Sequence, residues 1–362
     1  MRNLISYFPH EGLSEAAQLF RDSKSISFSG AGNASSKAML AADVLGEGKF
    51  GCVLWVVNDV SEQNQVKKAM TMWGERAVFI YTKKNEEERL SYPTSSAFER
   101  DKTVEIVEFV SRVYNQKDAI FVLDFNSLLQ NFPDIKELLA NRVEIKFGED
   151  VDQVELIGKI VNAGYELGEK DSLKKGQYYR LGDVLSIFPV NSDSLWHVDI
   201  GFDKAEKIKM IDPVSGEAKE RKTLEIFPID YESDTENVMD LFAGNSVAID
   251  DEVDVVDEYY ELWNQFMDEA QKVCSTITFT SFNEDDRNHK HLHFLSIVKY
   301  RSAYDLANDL RDRISAGWKT IFFTKNGHET RSLLLDQKVP FENGLDKEKS
   351  TKKGIAPIYT YI

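Results

Sequence analysis

The sequence predicts an α/β protein: a parallel sheet flanked by helices, with an inserted antiparallel α+β module and a further small α/β segment at the C-terminal end. Three observations carry this expectation. Helix-type and strand-type patterns alternate over residues 10–147. The run "GCVLWVVND" at 51–59 is apolar throughout rather than alternating, as a strand covered on both faces is. Beyond Asn141 the pattern changes to short β-type segments separated by turns.

In chain order, Gly12–Phe20 reads as helix, Ser25–Ser29 as strand, Ser36–Leu45 as helix, Cys52–Asn58 as strand, Ser61–Trp73 as helix and Ala77–Tyr81 as strand. The stretch "KKNEEERLSYPTSSAFERDK" (83–102) is polar, holds a proline and lacks a period, which predicts an exposed loop with solvated charges. Ile106, Phe109, Val110 and Val113 then fall at i, i+3, i+4, i+7, the spacing of an amphipathic helix. "AIFVLDFNSLLQ" supplies a buried strand ending at Asp124, followed by a helical turn. "RVEIKF" reads as a strand, and "DVDQVELIGKIVNAGY" as a helix with Asp152 and Glu155 spaced like a capping box and Gly164 placed to end it. "GQYYRLGDVLSIFP", "LWHVDIGFD" and "KIKMIDPVSGE" are short strands, with a turn at Asp212–Gly216. Residues 230–282 return to helix ("DVVDEYYELWNQFMDEA") and strand ("STITFTSF"). After the polar "NEDDRNHKHLH" come the amphipathic "SAYDLANDLRDRISAGW", the strand "KTIFFTK" and a last strand-like "APIYTYI", whose abrupt stop suggests a fragment. The expected domains are 1–140, 141–228, 229–284 as a return to the first, and 285–362 as a partial, truncated α/β domain.

With 362 residues the chain is long enough for two or three domains. Its 42% hydrophobic and 29% charged residues are those of a globular protein, and no window approaches the roughly 18 apolar residues of a membrane span. Pro9, His10 and Glu11 interrupt any signal-peptide core, and Cys52 and Cys274 stand far apart without C-x-x-C spacing, which fits a reducing cytoplasm. With 44 basic against 61 acidic side chains the net charge is −17, poorly suited to neutralising nucleic-acid phosphates. Proteins or small molecules are the better expected partners, and no membrane is expected.

"FSGAGNASSKAMLAADVL" (28–45) has the outline of a phosphate-binding loop running into a helix. A working loop reads G-x-x-x-x-G-K-[ST], because the second glycine lets backbone N–H groups wrap the phosphates, the lysine reaches the outer phosphates and the hydroxyl takes Mg²⁺. Counting from Gly30, those slots hold Ser35, Ser36 and Lys37; counting from Gly32, the lysine falls in the glycine slot. The expectation is a degenerate P-loop-like corner that holds no nucleotide.

Four phrases in one order carry a resemblance: "GYE" at Gly164–Glu166, "GQYYRLGDVLSIFP" at Gly176–Pro189, "HVDIGFDKAEKIKMIDPVSGE" at His197–Glu217 and "LEIFP" at Leu224–Pro228. This segment resembles the UvrB-type interaction module of excision-repair UvrB proteins and transcription-repair coupling factors. The flanking "GAGNASSKAMLAADVL" and "VLWVVND" resemble the first, degenerate RecA/P-loop-like domain of the coupling factors, and "IVKYRSAYDLANDLRDRISAGWKTIFFTKN" is similar to their next domain. The resemblance implies a scaffold of transcription-coupled nucleotide excision repair that recruits UvrA through the inserted module and is catalytically silent by itself. RNA polymerase and DNA, and the family's use of ATP and Mg²⁺, are implied only for domains beyond this chain.

In that family the UvrA-facing surface depends on arginines. The matching positions here are Leu167, Tyr179 and Leu181, and Arg180 lies between two of them, where strand alternation aims it at the opposite face. The expected docking candidates are therefore Glu166, Leu167, Tyr179, Arg180, Leu181 and Asp183, with Trp196 and Phe202 as apolar anchors, while Tyr178, Leu185, Ile187, Val198 and Ile200 pack the module core. The alternatives are an ATP-dependent DNA-remodelling enzyme of the UvrB type, and a reduced relative whose module no longer binds UvrA. No catalytic residue is expected, since no Ser–His–Asp, Cys–His or H-E-x-x-H set has the required spacing. "HKHLH" places His289, His291 and His293 at alternate positions, a zinc or nickel set if on one strand face, and an exposed polar linker otherwise; the second reading is adopted, with no metal. "AIDDEVD" (248–254) resembles a Walker-B-like strand end and is taken as a strand end with a solvated turn. Tyr259–Tyr260, Trp263 and Phe266 are taken as core.

Overall fold

A computed structural model of the chain describes residues 11–46, 50–74, 76–242, 244, 246–283, 286–292, 300–318, 322–324, 326–343 and 356–360. The chain divides into a larger unit, which runs from Glu11 to His293, and a smaller one that holds the residues after it.

The larger unit opens with helix α1 (Glu11–Ser23), strand β1 (Ser25–Ser29), helix α2 (Ala34–Leu45), strand β2 (Cys52–Val57), helix α3 (Val60–Trp73) and strand β3 (Val78–Tyr81). Helix α4 (Ser95–Asn115), strand β4 (Ala119–Asp124), the short helix α5 (Phe125–Leu128), strand β5 (Phe132–Pro133) and helix α6 (Ile135–Ala140) follow. All six residues of β2 and of β4 are buried, which is why both runs lack polar alternation. The 83–102 stretch is only partly a loop. After a 3₁₀ turn at Glu88–Ser91, Thr94 caps α4 by accepting from the Ala97 N–H at 3.1 Å, and the helix runs for 21 residues. Nor are its charges all solvated: the Lys84 side chain is 8% exposed, 3.1 Å from Glu105 and in contact with Asp101.

The inserted module begins with strand β6 (Val143–Lys146) and helix α7 (Gln153–Asn162). Asp152 caps α7 by accepting from the Val154 and Glu155 N–H groups at 2.8 and 3.0 Å. At its other end Gly164 takes φ +86°, and the Gly164 and Tyr165 N–H groups donate to Val161 and Ile160, satisfying carbonyls the helix leaves open. Strands β7 (Glu166–Leu167), β8 (Gln177–Leu181), β9 (Val184–Phe188), β10 (Leu195–Gly201), β11 (Lys204–Ile211) and β12 (Ala218–Arg221) form a six-stranded sheet in the order β12-β11-β10-β9-β8-β7, antiparallel except between β7 and β8. Strand β13 (Thr223–Ile226) turns back to pair with β6. Tyr178, Leu185, Ile187, Val198 and Ile200 are all buried, as their alternation predicts; each such aliphatic side chain contributes roughly 1.5–3 kcal/mol.

The chain then re-enters the body through strand β14 (Asp234–Glu236), helix α8 (Val238–Phe242), strand β15 (Val247–Asp251), helix α9 (Tyr260–Val273), strand β16 (Ser275–Thr280) and strand β17 (His289–His291). The seven-stranded sheet has the order β17-β1-β16-β15-β2-β4-β3, and every pairing in it is parallel. Strands β15 and β16 thus fill the space between β1 and β2, so the body's sheet is completed only by residues from the far side of the module. Trp263 is buried and stacks on Phe266, and Tyr259 packs edge-on against Phe125, but Tyr260 is exposed, so the expected aromatic stripe loses that member.

In the smaller unit helix α10 (Ala303–Ser315), strand β18 (Phe322–Thr324), helix α11 (Gly327–Asp336), strand β19 (Phe341–Asn343) and strand β20 (Ala356–Thr360) form a three-stranded parallel sheet in the order β18-β20-β19. Ala307, Leu310, Ile314, Leu334 and Val339 make its core. Among the described residues no helix is long and apolar enough to cross a membrane.

Candidate functional site

Two places in the larger unit concentrate the residues that the sequence singles out. The first is the corner between β1 and α2. Strand β1 stops at Ser29, Gly30 and Gly32 adopt φ +74° and +80°, and Asn33 caps the helix. The Asn33 side-chain oxygen accepts from the Ser35 and Ser36 N–H groups at 3.0 and 3.1 Å, so a side chain of the corner itself occupies N–H groups of the kind that wrap phosphate in a working loop. The Ser35 hydroxyl accepts from Trp73 Nε1 at 3.0 Å. Lys37 Nζ lies 2.5 Å from Asp251 Oδ1 and 3.6 Å from Glu252, and it sits 5.7 Å from the centre of the Phe279 ring. Trp55 Nε1 donates to the other Asp251 oxygen at 2.9 Å. Asp251 is therefore no solvated turn residue. It is buried at the end of β15, bound on both oxygens and opposite the lysine of the loop. Burial raises its carboxyl above the usual range, against the pull of Lys37 and Trp55. Its neighbour Asp250 is pushed up to about 7, first by burial, although the Val253 N–H lowers it.

The loop is also covered. The Leu292 N–H donates to Ser29 O at 2.8 Å, and a Cβ on Gly30 would fall 1.8 Å from the Leu292 carbonyl oxygen. The same segment corrects in part the reading of "HKHLH" as an exposed linker, since it forms a strand, although His291 stays exposed. His289 and His291 belong to β17, which pairs with β1; Ser29 Oγ lies 2.8 Å from His289 Nε2 and from His291 Nδ1, and Ser27 Oγ lies 2.8 Å from His289 Nδ1. His293 lies outside the described residues. Among the described residues no group of three or more His, Cys, Asp or Glu side chains is arranged to hold a metal.

The second place is the module surface. The register Tyr179↔Ser186 and Arg180↔Leu185 puts Tyr179 and Leu181 on one face and Arg180 on the other, with Tyr178 and Leu185. Arg180 there donates to Gly182 O at 3.0 Å and contacts Gln153 Oε1. Leu167 and Leu181 are exposed. Asp183 lies in the tight β8–β9 connection, and its carbonyl accepts from Ile200 at 2.7 Å. Trp196 faces Ile187 and Met210 and packs on the module core, with Nε1 donating to Ser192 Oγ at 3.0 Å, so it is no free anchor. Phe202 is the reverse. It is 98% exposed and, with Asp203, forms the two-residue β10–β11 turn with φ +48° and +56°, a conformation usually left to Asn and Gly.

Glu166 faces the body. Arg100 on α4 lies 3.1 Å from its carboxylate and donates to Gly164 O at 2.6 Å and Gly176 O at 2.8 Å. One turn pair further along α4, Glu108 and Arg112 join Lys175 and Asp193 of the module in a four-charge network, with Lys175 2.6 Å from Glu108 and 3.0 Å from Asp193. Helix α4 thus holds the module to the body. Sequence reasoning missed Arg100 and Arg112, because nothing in their spacing names partners at 64–81 residues' remove.

A helix capped by Asp152, a strand pair β6–β13 and a β-sheet meander make up one continuous insertion. Residues 143–234 match the UvrB interaction domain. UvrABC system protein B from Gloeobacter violaceus is 30% identical over 117 residues, 32% of this chain and 17% of that protein. The same-named protein of Lactobacillus johnsonii is 26% identical over 171 residues, 47% of this chain and 25% of that one. The Transcription-repair-coupling factor of Borreliella burgdorferi is 24% identical over 121 residues, 33% of this chain and 11% of its own length. Similarity at this level agrees with an N-terminal region like that of UvrB or the coupling factors, and the matched stretches span a quarter or less of each of these relatives.

Proposed function

We propose that the chain is a protein-docking scaffold of transcription-coupled nucleotide excision repair in the cytoplasm, which recruits UvrA through the UvrB interaction domain and has no ATPase activity of its own. The observation that carries this reading is the match of residues 143–234 to that domain, on a module that leaves Leu167, Leu181 and Phe202 exposed. Catalytic silence is supported by the β1–α2 corner, where Asn33, Asp251 and the Leu292 backbone occupy the groups and the space a triphosphate would need. The docking residues are Leu167, Tyr179, Leu181, Asp183 and Phe202, with Glu166 and Arg180 holding the surface in place.

Titration calorimetry with UvrA tests the reading. We expect saturable binding that Leu181→Glu or Phe202→Asp weakens by more than about 1 kcal/mol. No binding supports a second reading, favoured by Leu167, Tyr179 and Leu181 standing where the family has arginines: a reduced relative whose module serves only intramolecular packing. Titration with ATP and Mg²⁺ should give no heat above background, and saturable binding would instead favour an ATP-dependent UvrB-like enzyme.

A further inference from the structure

Helix α7 and strand β6 enclose a groove of about 530 Å³ that docking through Leu181 and Phe202 does not use. One wall is the helix face Asp152, Glu155, Leu156, Lys159 and Ala163, spaced at i, i+3, i+4, i+7 and i+11. The other is Val143–Ile145 of β6. Among the described residues β6 pairs only with β13. The Phe147 N–H donates to Lys222 O at 2.8 Å, which makes Ile145–Leu224 and Val143–Ile226 the hydrogen-bonded pairs of this antiparallel ladder. The N–H and C=O of Glu144 therefore point to the unpaired edge, where the groove lies.

The lining is acidic. Six carboxylates, Glu144, Glu149, Asp150, Asp152, Glu155 and Asp230, line it with two cations, Arg142 and Lys159. Both cations are engaged, Arg142 with Glu225 at 3.4 Å and Lys159 with Glu155 at 2.7 Å. Lys146 lies 2.8 Å from Glu144 and 4.0 Å from Glu149, and Lys204 lies 3.6 Å from Asp150. These lysines are about half exposed, so an incoming cation can replace them at little cost. The ten residues of α7 span about 15 Å, the length of four to five extended residues.

We propose that this groove binds an extended Lys/Arg-rich segment of a partner protein, added to β6 as a further strand. Backbone hydrogen bonds at Glu144 hold the segment, and alternate side chains meet the Glu155 carboxylate on α7 and those of the 149–152 turn.

The test is fluorescence polarisation of labelled hexapeptides on the full chain. The peptide KRIKVK should bind saturably. KRPKPK, of equal charge but lacking the strand donors at its third and fifth positions, should bind at least tenfold more weakly, and EEIEVE not at all. The exposed pair Glu149→Gln/Glu155→Gln, and independently Asp230→Asn, should each weaken KRIKVK by at least fivefold. The same loss of charge at the N-terminal end of α9 and in the turn before it, Glu258→Gln/Glu261→Gln, should leave it within twofold. Equal binding of the proline peptide, equal loss in the α9 variant, or no saturable binding overturns the proposal. Circular dichroism melts of each variant identify any that has failed to fold, and the other groove variant then decides.

Discussion

The β1–α2 corner and the tip of the inserted module treat their conspicuous residues in opposite ways. At the corner Lys37, Ser35, Ser36 and Asp251 all turn to one another or to Trp55, Trp73 and Asn33. At the tip Leu181 and Phe202 turn to solvent, and Phe202 does so in a backbone conformation unfavourable to an aromatic residue. A site that satisfies its own polar groups gains stability and has little left to offer a ligand. A site that leaves apolar groups exposed and strained keeps them for a partner. The contrast gives the first region a part in folding and supports the proposal that the second serves recognition.

Mutations put that contrast to the test. The largest effect is expected at Asp251: Asp251→Ala leaves Lys37, 15% exposed, without its nearest carboxylate and Trp55 Nε1 unpaired, and should cost about 3–5 kcal/mol in urea unfolding. The double change Lys37→Met/Asp251→Leu should recover the part of that loss due to the lysine, while Trp55 Nε1 stays unpaired. A cost under about 1 kcal/mol for the single variant would show that the pair does not hold the corner.

Asp250 adds a pH signature. Its carboxyl titrates near 7 in the fold against 3.8 when unfolded, so between those values the folded state keeps a proton that the unfolded chain has released. Stability then falls as pH rises through that window. Asp250→Asn should remove this slope and stabilise the protein by about 2 kcal/mol at pH 8, as thermal melts across the pH range would record. An unchanged slope would assign it to other groups.

The module's own frame is tested at Tyr165. Its buried hydroxyl donates to Phe227 O at 3.0 Å and accepts from the Val190 N–H at 3.1 Å, tying the ends of α7, β9 and β13. Tyr165→Phe leaves both groups unpaired and should cost about 1–2 kcal/mol. The smallest effect separates stability from recognition: Phe202→Asn should relieve the turn, raising stability by up to about 1 kcal/mol, while weakening UvrA. A stabilised variant that binds as well as the parent would remove Phe202 from the docking surface.

Much of this was legible in the chain. Continuous apolar runs named β2 and β4, helical spacing named the buried face of α4, and alternation along β8 separated Arg180 from Tyr179 and Leu181. The failures share one cause. "AIDDEVD" reads as a strand end with a solvated turn, and the strand does end there, but Asp251 is buried against α2; "HKHLH" reads as an exposed linker, yet His289–His291 pair with β1, and each partner lies more than two hundred residues earlier. Likewise, the polar stretch before α4 hides a capped helix start whose Arg100 reaches across to the module.

Residue type at fixed spacing was enough to give most element types, the loss of Gly-Lys-Ser/Thr from the corner and the resemblance of the module. Tertiary structure decided which strands lie side by side, that β15 and β16 enter between β1 and β2, and that Asp251 meets Lys37. Those facts depend on which distant segments share an edge of the sheet, and hydrophobic periodicity marks only the face that a segment buries.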